Sequence, residues 1–421
     1  MIINNESISN KILYFPIKIL LIFLIITQVL FFIGPQEKWI INNPFMLIFY
    51  LIVLNFSLYY GYIQGLHKPR GTIKRGTIKM VNIIIVISLF IGLMHTYWSL
   101  GTLSPDVIIS KILYGLLYSG EAYYEQNTES VHILRYLFLT ICSPIFFMAC
   151  VFGTYFWKQL KKKYKIIYIL IIFLELTRWL AIGVRKGLFD IIIIIAIAYI
   201  AGHYKIIDNK KQIRKFLTYI SVFLLLFLFY FSISNLSRYS QYSSFTDMLT
   251  DYQVKQFYYD NFPQWLIMPI YSITGYLCQG YYALAKALEI GIIEPNIIAT
   301  NFFTVNIAER FQDNPLQGTY MDLLERYYGI SPTVNWHTIY VWLANGLTFL
   351  GVPIFMYIIG RIFANSWLMT IKGKDYLSIP LFVILFQLIL YSFANNQIFS
   401  FSFLVIFTLL FFYFFQKRIK I

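Results

Sequence analysis

Charge is scarce in this chain. Asp, Glu, Lys and Arg make up 13% of its 421 residues, while 59% are hydrophobic and 20% aromatic. A water-soluble domain of this length cannot be so apolar, so that class is excluded. Cysteine is scarcer still, at three. Cys142 and Cys150 share one apolar stretch and Cys278 stands apart, which excludes a disulfide framework and a zinc spacing. There is no G-x-x-x-x-G-K-[ST] loop, no H-E-x-x-H pair and no G-x-S-x-G elbow, so P-loop motors, zincins and elbow hydrolases drop out. No paired acids with a metal-binding look stand on the first outer loops; Glu121 and Glu125 in GEAYYEQ come nearest. A metal-independent chemistry with no cofactor is therefore expected. No internal repeat or low-complexity tail stands out. The first apolar run lacks an A-x-A cleavage site and reads as an anchor.

What the chain does have is long continuous apolar runs, with a mean hydropathy of +0.65. The runs are span-length rather than alternating, which excludes a β-barrel. The expected fold is all-α: a polytopic helical membrane protein with about ten transmembrane helices. The expected spans are 17–33, 44–64, 80–98, 132–157, 166–182, 188–203, 216–233, 338–363, 377–395 and 398–415. Three regions follow: helices one to seven with short loops (1–234), one large periplasmic loop (235–337), and three further helices with a cytoplasmic tail (338–421).

The net charge of +15 points away from nucleic acid once its distribution is seen. Lys68, Arg70, Lys74, Arg75 and Lys79 fill one loop, and Lys158, Lys161, Lys162, Lys163 and Lys165 another. Lys205, Lys210, Lys211, Arg214 and Lys215 fill a third, followed by Lys372 and Lys374, and by Lys417, Arg418 and Lys420 in the tail. With ten spans and both termini cytoplasmic, all of these fall on one side, as the positive-inside bias requires. The richness in Ile, Phe, Tyr, Asn and Lys suggests a low-GC coding region and hints at a bacterial source, so the localisation expected is the bacterial inner membrane.

Residues 265–288 are apolar and nearly span-length, yet a crossing there would turn the basic tail outwards. Tyr271, Tyr276, Tyr281 and Tyr282 suit a helix lying in the outer leaflet. Val107–Ser119 is a shorter amphipathic candidate of the same kind.

Charges inside spans need a reason. Glu175 and Arg178 lie in the fifth span, with Arg185 expected at its outer end; steps of three and seven would put all three on one helical face. The stripe is either the wall of a polar cavity or, for Glu175–Arg178, an ion pair that fixes packing. Arg185 with Lys186 and Asp190 concentrates charge in GVRKGLFD, as an anion site or as a snorkelling anchor. Arg238 follows the seventh span. Arg310 and Arg326 each adjoin a carboxylate in sequence, Glu309 and Glu325. His337, where the chain re-enters the membrane, is either a base near neutral pH or a polar cap. Gly346 and Gly351 would let another helix approach. Guanidinium groups grip phosphate in a bidentate way and keep their charge, so outer-edge arginines suit a lipid-linked phosphate or pyrophosphate.

In the turn AIGVRKGLFDIIIIIAIAY, the post-span arginine of SNLSRYSQY, the PIYSITGY segment and NWHTIYVWLANGLTFLG, the chain resembles the O-antigen and capsule repeat-unit polymerases of bacterial surface polysaccharide synthesis. The related O-antigen ligases share such features. The resemblance implies transfer of an undecaprenyl-pyrophosphate-linked oligosaccharide onto the next lipid-linked repeat unit, at the periplasmic face. Arg185 and Arg238 would hold the leaving pyrophosphate, and His337, or Asp247 or Glu309 in its place, would take the proton. Glu175, Arg178, Lys186, Arg310 and Arg326 would complete the substrate site. A chain-length regulator and a flippase are the implied partners, in membrane lipid. The rivals are an O-antigen ligase or another lipid-linked-sugar glycosyltransferase, a flippase for lipid-linked sugars, and an acyltransferase; the last would need a histidine within the spans, whereas His95 and His132 sit at span ends.

Overall fold

The computed structural model describes residues 8–67, 77–122, 133–236, 254–373, 375–394 and 401–415. Among them the chain is helical, and the single β-type contact is an isolated bridge between Gln36 and Val254. The helices are α1 (Asn10–Ile33), α2 (Pro44–His67), α3 (Ile78–Leu100), α4 (Pro105–Leu117), α5 (Ile133–Tyr155), α6 (Lys162–Ala181), α7 (Arg185–Gly202) and α8 (Lys210–Leu236). There follow α9 (Gln256–Asn261), α10 (Gln264–Ile290), α11 (Phe302–Ala308), α12 (Tyr320–Tyr328), α13 (Ile339–Ile371), α14 (Ser378–Leu390) and α15 (Phe401–Phe415).

Among the described residues each of the ten apolar runs overlaps a helix, though the run at 377–395 outlasts its helix, which ends at Leu390. Four of the described helices (α1, α2, α3 and α13) are long and apolar enough to cross a membrane by length and composition. Shorter apolar stretches lie in α5, α14 and α15. Local signals set several ends. Ser9 accepts from the Ile12 amide (3.3 Å) to start α1, and Gly101 closes α3 in the left-handed region at φ +70°.

α13 and α2 form the tightest helix pair, and they run parallel. Tyr50 donates to the Phe349 carbonyl (2.8 Å), Gly61 lies against the Tyr357 backbone, and Gly65 against the Arg361 backbone, so sequence number rises together along both. A Cβ on Gly61 would stand 2.0 Å from the Tyr357 carbonyl oxygen, and one on Gly360 2.2 Å from that of Leu58. These glycines, spaced four apart in GYIQG, allow near-backbone contact. Around the pair, Tyr62, Trp367, Phe363 and Phe382 are fully buried, with the Phe363 and Phe382 rings stacked at 5.3 Å.

α13 is not one continuous rod. Thr348 has φ +59° and ψ 167°, which breaks it into 339–347 and 349–371. A break there deprives the Asn345 carbonyl of its helical partner. The Asn296 amide replaces it at 2.6 Å, and the Asn345 side chain donates to Ala299 O (2.8 Å) and accepts from the Tyr320 amide (3.0 Å). The 33-residue helix runs past the expected end at 363, to Ile371.

That segment, as described from 254, wraps one end of the helix bundle. Lys255 caps α1 by donating from its ammonium to Phe32 O (3.1 Å) and from its amide to Pro35 O (2.9 Å), and the Tyr258 hydroxyl donates to Ile33 O (2.7 Å). α10 is 27 residues long. Near its start Gln36 donates to Tyr271 O (2.8 Å); near its end Glu289 accepts from the Asn42 amide (3.0 Å). Both contacts fall on the same α1–α2 connection, so α10 lies along this end of the bundle rather than running its length.

Candidate functional site

α6 carries Glu175 and Arg178 on an otherwise apolar sequence, and both are buried. The Arg178 guanidinium holds the Glu175 carboxylate with Nη2 and Nε, and the Trp179 indole donates to the same carboxylate at 2.7 Å. The guanidinium carbon lies 4.0 Å from the Trp179 ring centre. Gly187 of α7 packs on that ring so closely that a Cβ would stand 2.0 Å from it. Glu175 and Arg178 thus satisfy one another inside the helix packing.

Arg185 does not continue this face. α6 ends at Ala181 and Gly183 turns the chain at φ +68°, where a Cβ would meet Ser119 O at 2.5 Å. Arg185 is the first residue of α7. The expected stripe therefore divides between two helices, because the left-handed glycine ends the first before the seven-residue step is complete.

The next turn of α7 joins a charged network. Lys186 pairs with Asp190 at 2.8 Å, and Gln387 of α14 donates to the other Asp190 oxygen at 3.0 Å. Just beyond the end of α14, Ser392 O accepts from the Ile339 amide (2.8 Å) and Ser392 Oγ from the Tyr340 hydroxyl (3.1 Å). The C-terminal end of α14 thereby brings the Arg185–Lys186 turn and the His337 approach to α13 to one end of the bundle.

A cavity of about 440 Å³ adjoins the α6–α7 turn. Its walls include Trp98 and Leu100 of α3, Ser110, Lys111 and Tyr114 of α4, and Ile182. The Lys111 ammonium donates to the terminal carbonyl of α3, Leu100 O, at 2.8 Å, and the Tyr114 hydroxyl donates to Glu121 at 3.1 Å. α4 can lie this close because Gly115 meets the Leu180 and Ala181 carbonyls, where a Cβ would be 2.1 Å from the first. Its opposite side exposes Ile109, Leu113 and Leu117 at steps of four. The cavity offers an ammonium, hydroxyls and an aromatic wall to a polar guest.

His337 is fully buried. Its Nδ1 is 3.0 Å from Asn335 O, and its ring meets Trp342 edge-on at 6.4 Å. Burial pulls its pKa down to about 4 against the helping backbone hydrogen bonds, so the imidazole is neutral and weakly basic. Arg326 pairs with Asp322, one turn earlier on α12, at 2.7 Å, and not with its sequence neighbour Glu325. Adjacent residues on a helix point apart, whereas i and i+4 share a face. Glu309, which caps the end of α11, and Arg310 are both exposed. Arg238 and Asp247 lie outside the described residues, as does the Arg185 side chain. Gly346 lets the short 3-10 helix Ile298–Thr300 approach, with a Cβ 2.5 Å from Thr300 Cγ2, whereas the close neighbour of Gly351 is Leu347 of its own helix.

A second buried charged group was not singled out by the sequence. Lys286 of α10 pairs with Glu289 at 3.1 Å beside the Tyr282 and Tyr328 rings, and Trp39 stacks on Tyr282 at 6.2 Å. The available signal was a Lys and Glu three apart in an apolar helix, with Asn42 supplying the remaining donors from far away in sequence. Among the described residues no group of three or more His, Cys, Asp or Glu is arranged to hold a metal ion. Compared with known proteins, the chain matches no protein-family model, no curated protein and no solved structure.

Proposed function

We propose that the chain is a multi-pass glycosyltransferase of the bacterial inner membrane that joins undecaprenyl-pyrophosphate-linked oligosaccharide repeat units at the periplasmic face. One observation carries this reading: the Arg185–Lys186 turn, with the neighbouring cavity, is joined through α14 and the start of α13 to α10 of the folded segment beyond residue 254, so they share one end of the bundle. A lipid-linked substrate keeps its polyprenyl chain in the bilayer and its diphosphate at the rim, and cations at such an end meet the diphosphate there.

The proposed topology has ten crossings and cytoplasmic termini, with α4 and α10 in the outer leaflet. Two features support it. α2 and α13 run parallel, which requires an odd number of crossings between them; α3, α5, α6, α7 and α8 supply five. α10 touches the α1–α2 connection near both its ends, which suits a helix that does not cross.

In the reaction, an acceptor hydroxyl attacks the donor's anomeric carbon and the bond to the carrier diphosphate breaks. Arg185 and Arg238 stabilise the charge on the departing diphosphate, the kind of interaction that dominates such steps. The hydroxyl proton passes to His337 or to a loop carboxylate. His337 needs its cover of neighbouring residues to open first, whereas Glu309 is exposed.

The test is Arg185→Ala and Arg238→Ala in the producing cell, with expression of each variant verified. Loss of the surface-glycan ladder, leaving single repeat units on the lipid core, is expected. A full-length ladder overturns the assignment. Bare core with long lipid-linked glycan assigns the chain to ligation instead, and lipid-linked units held at the cytoplasmic face assign it to flipping.

A further inference from the structure

We infer that a groove between the start of α1 and the first turns of α8, at the opposite end from the site above, binds an anionic glycerophospholipid. The groove is shallow and open, with about 500 Å³ of space along it. Its mouth carries Lys11 from α1 and Lys210 and Arg214 from α8, and its wall continues along α8 as Leu217, Val222 and Leu225. Positions 210, 214, 217, 221 and 225 advance by three or four, so cations and apolar side chains share one helix face. Leu217, Val222 and Leu225 are exposed to 38%, 50% and 66%, an apolar strip for the protein alone to leave open.

The dimensions suit one lipid. Leu225 lies roughly 16 Å along the helix axis from Arg214, about the depth of one leaflet. A phosphate at the mouth meets three cations while acyl chains lie on the leucines and valine. Among the described residues none of the three cations is in an ion pair, and no carboxylate lines the groove. The nearby acid Asp208 does not line the groove; it accepts from Ser9 at 2.6 Å, the contact that draws the start of α1 towards α8. Basic residues at cytoplasmic helix ends are general in membrane proteins. Here two helices far apart in sequence converge their cations above a shared apolar wall, the arrangement of a headgroup pocket rather than of a solvated face.

The inference needs the membrane setting but not the glycosyl-transfer reading, so lipid retention and glycan ladder are separate results. The full chain, purified in neutral detergent and stripped of lipid, is offered phosphatidylglycerol or phosphatidylcholine in mixed micelles, and bound lipid is counted by native mass spectrometry. Wild type is expected to retain phosphatidylglycerol preferentially. The Lys11→Gln/Lys210→Gln/Arg214→Gln variant should lose that retention roughly tenfold or more, given how strongly each cation near an anionic headgroup contributes. Leu217→Trp, which keeps the cations and fills the groove, should lose it too. Lys158→Gln/Lys162→Gln/Lys163→Gln, matched in charge, should retain it. Unchanged retention in the groove variant, equal loss in the charge-matched variant, or displacement of the lipid by an equal concentration of glycerol 3-phosphate would each overturn the inference.

Discussion

Gly61 of α2 and Tyr357 of α13 meet backbone to backbone, so closely that a Cβ on the glycine would stand 2.0 Å from the tyrosine carbonyl oxygen. Backbone cannot swing aside as a flexible side chain can. Gly61→Ala must push the two helices apart, and overpacking of this kind costs about 1–3 kcal/mol or more. A fall in the thermal midpoint of the purified protein is expected for Gly61→Ala and Gly360→Ala. Gly120→Ala, where a Cβ meets nothing within 4 Å, is the control. Equal midpoints for all three would show that the pair separates freely.

The Glu175–Arg178 pair and the Asp322–Arg326 pair predict opposite outcomes. The first is buried. Glu175→Ala strands a buried guanidinium and should cost about 3–5 kcal/mol, with much of the loss recovered in the Glu175→Ala/Arg178→Ala double variant. The Arg326 side chain is 56% exposed, so Arg326→Ala should change stability by less than about 1 kcal/mol. Denaturation in detergent reads both; a double variant as damaged as Glu175→Ala would contradict the packing role.

His337 predicts an acid-sensitive fold. Unfolded histidine titrates near 6.5, roughly, whereas burial holds the folded side chain near about 4. As pH falls the unfolded chain takes the proton first. The stability associated with neutral His337 is therefore full above the ordinary histidine pKa and is lost as pH falls from there through the folded value. Thermal midpoints between neutral and acid pH should fall more steeply for wild type than for His337→Gln. Parallel curves would refute the burial argument.

Thr348 predicts a stabilising substitution. Its backbone sits in a region that is essentially glycine's, at a cost of roughly 1–3 kcal/mol for a residue with a branched Cβ. Thr348→Gly should raise the thermal midpoint, and Asn345→Ala, which removes the side-chain bonds to Tyr320 and Ala299, should lower it. If glycine lowers the midpoint, the break is held by the threonine side chain and not borne as strain.

Much of the fold was legible in local patterns. Among the described residues every expected span overlaps a helix, because a long apolar run satisfies its own backbone hydrogen bonds most simply as one. The i to i+3 spacing already placed Arg178 within reach of Glu175. The stripe of Glu175, Arg178 and Arg185 was legible only in part, because the left-handed Gly183 moved Arg185 onto a different helix. Arg326 chose Asp322 over Glu325 because helical geometry joins faces rather than neighbours.

Composition and apolar run length by themselves determined the helical class and the positions of the long apolar helices, four of them long enough to cross a membrane, since these follow from each segment's own hydrophobicity and backbone hydrogen bonding. Tertiary structure alone decided that α13 breaks at Thr348 under the clasp of Asn296, and that Gln387 meets Asp190 across α7 and α14. Each of those depends on partners tens to hundreds of residues away, and pairing at that distance is selected by packing and by the need to satisfy buried polar groups, which no local window of sequence encodes.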